Sequence, residues 1–103
     1  MSKFVLAYTG GAMASTPEEQ QKAMEAWMAW FGSLGEAVLD VGNPFTSGCT
    51  VAADGSTKDG GAAGLTGYSI IEASDLPAAA GMAKGCPVLA NGGGVEVYEA
   101  LPM

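Results

Sequence analysis

Histidine and arginine are both missing from these 103 residues, and the only basic side chains are four lysines set against 11 carboxylates, a net charge of −7. Without histidine there is no imidazole base, no Ser-His-Asp arrangement and no zinc site of the common kinds, so no metal is expected. With so few cations the surface repels phosphate backbones and anionic lipid, which argues against nucleic-acid and membrane partners. Cysteine is scarce as well. Cys49 and Cys86 form neither a C-x-x-C pair nor a metal-ligand pattern, so they read as free thiols, with no cofactor implied. No apolar run approaches the ~18 residues of a membrane span. Phe4-Val5-Leu6-Ala7 behind Lys3 falls short of the roughly 7–15-residue core of a signal peptide, and Tyr8-Thr9-Gly10-Gly11 closes it as a strand entering a turn. A cytoplasmic location is the expectation.

The remainder is apolar enough to pack, 49% hydrophobic against 15% charged, and a chain of this length holds one core, so residues 1–103 read as one domain. Phe4 to Tyr8 reads as a buried first strand. A helix follows, with Thr16 as N-cap, Pro17 in the first helical position and Glu19 completing a T-x-x-E capping box. Ala23, Met24, Trp27, Trp30 or Phe31, and Leu34 recur at helical spacing until Gly32 and Gly35 end it. Ala37 to Val41 forms a second strand, closed by Gly42-Asn43-Pro44. Residues 42–65 read as a long loop, with a short edge strand or arm at 49–52 and a mobile tip at 53–64. Leu65 to Ala73 alternates as a third strand, Ser74 caps a second helix with Asp75 in its first turn, and Gly85 with Pro87 stops it. Val95 to Glu99 is the last strand.

The order is β-α-β-β-α-β, an α+β fold of the ferredoxin-like kind with an antiparallel sheet. Both helices then cover one face of that sheet, and the other face needs a partner. A second copy packed face to face, closing a dimeric α/β barrel, answers that need and makes a homodimer the expected assembly.

Lys3-Phe4-Val5-Leu6-Ala7-Tyr8, Gly67-Tyr68-Ser69-Ile70-Ile71-Glu72-Ala73, Gly85-Cys86-Pro87 and Gly94-Val95-Glu96-Val97 together resemble the YCII-related proteins, including the branch with DGPF domains. The resemblance spans nearly the whole chain and implies a ferredoxin-like subunit in a dimeric α+β barrel. Relatives suspected of catalysis carry a histidine on the first helix and an aspartate before the proline after the second. This chain has no histidine and holds Cys86 in the aspartate's place, so the resemblance carries over no catalytic residue.

Candidate site residues therefore come from chemistry. Asp40, in the apolar run Ala37-Val38-Leu39-Asp40-Val41, is a candidate carboxylate base or ligand acceptor, and Glu96 is a second, with Glu72 as a possible neighbour across the sheet. Tyr8 and Tyr68, on strands adjacent in this fold, are placed to face one pocket; Trp27 and Trp30 are placed either to line it or to fill the core. The leading expectation is a small-molecule pocket made by Tyr8, Trp27, Trp30, Asp40 and Tyr68, roofed by the 42–65 loop. A small lyase or isomerase acting through a carboxylate base is the alternative, and a structural or regulatory interaction dimer is the third. Cys86, after the second helix, reads as a buried apolar residue rather than a nucleophile.

Overall fold

The computed structural model describes residues 1–10, 15–61 and 64–102. Along the chain run β1 (Ser2–Thr9), α1 (Pro17–Leu34), a 3-10 turn (Gly35–Ala37), β2 (Val38–Asp40), β3 (Cys49–Val51), β4 (Thr57–Asp59), β5 (Leu65–Ala73), α2 (Leu76–Ala83), α3 (Pro87–Ala90) and β6 (Gly94–Ala100). Four strands form one open antiparallel sheet in the order β2-β5-β1-β6. The frame β1-α1-β2-β5-α2-β6 is the expected ferredoxin-like α+β arrangement, and the sheet does not close on itself.

Local chemistry explains the helix starts. Thr16 stays extended and accepts the Glu19 N–H at 3.1 Å, while the Glu19 carboxylate turns back to the Ser15 N–H at 3.0 Å and the Ser15 hydroxyl. The reciprocal half of the capping box thus falls one residue earlier than the motif implies. At the second helix the cap is Asp75, not Ser74: its carboxylate accepts the Ala78 N–H at 2.9 Å. An ionised acceptor there also meets the positive end of the helix dipole.

Three further expectations need correction. The second strand is Val38–Asp40: it loses Ala37, because the chain leaves α1 through the 3-10 turn before it extends, and Val41, which belongs to the irregular stretch that follows. The 42–65 stretch is not simply a loop: β3 and β4 pair as a two-stranded hairpin, Cys49 opposite Asp59 and Val51 opposite Thr57, apart from the main sheet. Pro87 does not merely stop α2. It opens α3, where its fixed φ and missing N–H suit the first helical turn.

Sheet register sorts the side chains. Phe4 lies opposite Ile71, and Leu6 lies between Ser69 and Val97. This face carries the core, with Phe4, Leu6, Tyr8 and Ile71 packed against Trp30 of α1 and Ala79 and Ala83 of α2. The other face presents Val5 between Ile70 and Tyr98, Ala7 between Tyr68 and Glu96, and Lys3 between Glu72 and Ala100. Among the described residues no helix covers it, and the molecule is a slab of 43 × 40 × 19 Å.

Candidate aromatic cleft

One end of the helix-covered face opens as a cleft of about 400 Å³. Its sheet wall is built on Tyr8 and Gly67, opposite each other in the β1–β5 register. Gly67 suits this place because a Cβ there would stand 3.2 Å from the Asn43 carbonyl oxygen and 3.4 Å from the Tyr8 ring. The helix wall is Met24, Trp27 and Phe31, which recur along one face of α1. Val41 to Pro44 forms the rim, where the chain runs beside β5: Tyr68 donates its N–H to the Asn43 carbonyl, and Phe45 donates its N–H to the Thr66 carbonyl at 2.9 Å. Val88 of α3 closes the remaining side.

The aromatic groups meet edge to face. Trp27 stands at 75° to Tyr8 with ring centroids 5.0 Å apart, and at 78° to Trp30 at 5.8 Å. Such T-shaped pairs put the positive ring edge against the negative face and hold both rings in place. Behind the cleft, the Tyr8 hydroxyl donates to Ser69 Oγ at 2.7 Å, and Ser69 donates to the Val41 carbonyl at 2.6 Å. Ser69 is wholly buried, and this chain of bonds satisfies it between strand and rim. Burial pushes the Tyr8 hydroxyl up to about 12, so it stays protonated across the physiological range.

Of the residues expected at a ligand site, the structure brings Tyr8, Trp27 and Tyr68 to the cleft. Tyr8 and Tyr68 do not face it together. Tyr8 pairs with Gly67 and Tyr68 with Ala7, so their side chains leave opposite faces of the sheet. The Tyr68 ring stacks on Phe45, with its hydroxyl 3.4 Å from Asp40 Oδ2. Trp30 belongs to the core: it is 7% exposed, and its indole N–H donates to the Met82 carbonyl at 3.1 Å.

Asp40 stands outside the cleft, exposed on the edge strand. A bulge explains this, because Val38 pairs with Ile71 but Asp40 with Ile70, which shifts the register by one residue and turns Asp40 to the open face. There Asp40 Oδ1 accepts the Gly42 N–H at 2.8 Å and shapes the rim. Glu96 is exposed on the open face and accepts from the Tyr98 hydroxyl. Glu72 shares that face but lies level with Lys3, whereas Glu96 lies level with Ala7, roughly 13 Å along the strand at 3.3 Å per residue, so the two are not neighbours. Among the described residues no three potential ligands gather to hold a metal, and no helix is long and apolar enough to cross a membrane.

Sequence reasoning missed Met24 and Phe31 as cleft residues, and Val88 with them. The first two were legible as the same helical stripe as Trp27. Val88 was signalled only by Pro87 ahead of it and Asn91-Gly92 behind, a helix start and stop four residues apart.

The YCII-related domain matches residues 1–103, the whole length of the chain. No curated protein and no solved structure shows a match.

Proposed function

The chain belongs to the YCII-related domain family, and from that premise we propose that it binds a small molecule in the cleft between α1 and the Tyr8–Gly67 end of the sheet. The observation that carries this reading is the cleft's construction: about 400 Å³, walled by Tyr8, Trp27 and Phe31, with Asn43 and Thr66 as its few polar groups. Small-molecule sites are commonly apolar hollows of ~300–1,000 Å³ with a few polar groups to orient the occupant. Binding is favoured over carboxylate-base chemistry because Asp40 and Glu96 both stand outside this hollow. The two free cysteines accord with work in the cytoplasm. A second copy of the chain is the proposed partner, covering the open face around Val5, Ile70 and Tyr98.

A thermal-shift screen against aromatic and hydroxy-acid metabolites tests the reading, since a ligand that binds only the native state raises its melting temperature. A compound should raise Tm for the native sequence and fail to do so for Trp27→Ala. Shifts that persist undiminished in Trp27→Ala, or no shift from any compound, would overturn it.

A further inference from the structure

The cleft's chemistry goes further than its shape. None of the described residues that line it carries a charge: its walls hold neither Asp, Glu nor Lys. Gly11, Ala12, Met13, Ala14, Ala62, Ala63 and Met103, outside the described residues, have no charged side chain in any case. The four lysines stand elsewhere: Lys3 is on the open face opposite Glu72, Lys58 is in the hairpin, and Lys22 and Lys84 are exposed on or beside helices. Asp40, which precedes the rim and stands outside the cleft, is held by the Gly42 N–H and the Tyr68 hydroxyl.

The direction of the buried hydrogen bonds adds a second constraint. A carbonyl only accepts, so the Ser69 hydroxyl must spend its proton on Val41, and Tyr8 must then spend its own on Ser69. Tyr8 therefore has no proton left for a ligand carboxylate or phosphate. An anion entering the cleft would lose water and gain no cation and not this donor, only neutral donors such as the Asn43 amide and the Trp27 indole, against the field of a chain of net charge −7. A cation would lose water without gaining a carboxylate. What the site offers is a corner of perpendicular rings, Trp27 against Tyr8, in which a flat ring stacks on one wall and abuts the other edge-on.

We infer that the ligand of this cleft is an uncharged, planar aromatic molecule, an inference that rests on the cleft being the binding site.

The two tryptophans make the test internal to the protein. In 15N-labelled protein each gives one indole N–H resonance; that of Trp30, bonded to the Met82 carbonyl in the core, is the reference, and that of Trp27 is the reporter. Titration with indole, indole-3-carboxylate and tryptamine varies charge on one ring. Indole should move the Trp27 resonance and leave Trp30 in place, with an affinity at least about tenfold above either charged compound. Met24→Lys, at an exposed position on the wall, should narrow or reverse the preference of indole over the carboxylate. Equal or tighter binding of a charged compound at Trp27 would overturn the ligand class while leaving the cleft a binding site. Silence of Trp27 towards all three at millimolar concentration would overturn the class too, and the thermal-shift screen then decides separately whether the cleft binds anything.

Discussion

At the residue scale, Trp27 and Trp30 sit three positions apart on one helix yet do different work. Trp30 is buried against α2, where a Cβ on Gly85 would come within 3.1 Å of its ring, while Trp27 is half-buried on the cleft. Trp30→Ala should destabilise the fold by about 3–5 kcal/mol. Trp27→Ala should cost less than about 3 kcal/mol and act chiefly on ligand binding; equal losses in urea unfolding would show that both are core residues. Cys86 is buried, and burial pushes its thiol from an ordinary 9.0 up to about 11; Cys49 is exposed. A thiol-specific reagent at neutral pH should label Cys49 in native protein and spare Cys86. Alkali should expose the same physics. Burial raises both Cys86 and Tyr8 in the folded state, to about 11 from an ordinary 9.0 and to about 12 from an ordinary 10.0, so the native state favours their neutral forms. Their stabilising contribution is complete below about pH 9 and is lost as pH rises through 11 and 12. The urea midpoint should fall between pH 8 and pH 11, and fall less in Cys86→Ala; a flat profile would contradict this.

Elements differ in how much of the molecule supports them. β1 and β5 share a register from Ser2–Ala73 to Thr9–Leu65, broken by one irregularity near Tyr8, and are packed on by both helices. The β3–β4 hairpin has only its own two short strands, and every residue from 51 to 61 is exposed. A hairpin of that length is barely stable in water by itself. Its amides should therefore exchange with solvent at local-opening rates while those of Phe4, Leu6 and Ile71 exchange only on global unfolding. Hairpin protection equal to that of β1 would mean that another surface holds it. The helix caps give a smaller, local effect: Thr16→Ala should cost ~1 kcal/mol, measurable as a lower Tm with no change in the core.

For the whole molecule, the question is the open face. Val5, Ile70 and Tyr98 form one row across three strands, and Tyr98 remains 56% exposed. An apolar row in the centre of a sheet that no helix covers is a surface which association buries. The protein should sediment as a dimer at roughly micromolar concentration, where interfaces of standard size are occupied. Ile70→Lys should leave a folded monomer, since the side chain points away from the core. A native protein that sediments as a monomer would refute the assembly.

Several features were determined by the sequence alone because they depend on neighbours along the chain. Thr16-Pro17-Glu18-Glu19 starts a helix wherever it is placed, and Leu65 to Ala73 alternates as a strand whatever pairs with it. The order of those elements, with strands too long to leave unpaired, specifies the ferredoxin-like sheet, and the place of Cys86 just after the C-terminal end of the second helix, with Lys84 the one cation close to it in sequence, already marked it as unreactive. The site was legible only in part. Trp27 and Tyr8 could be named, but not that Tyr8 and Tyr68 part to opposite faces, because in a sheet of period two that depends on which residue of β1 meets which of β5. Nor could Asp40 be placed: a single bulge at the edge of the sheet turned it from the helix-covered side to the open one. These were decisions of the tertiary structure, made by pairings between residues 30 to 71 positions apart, for which no local spacing is a guide.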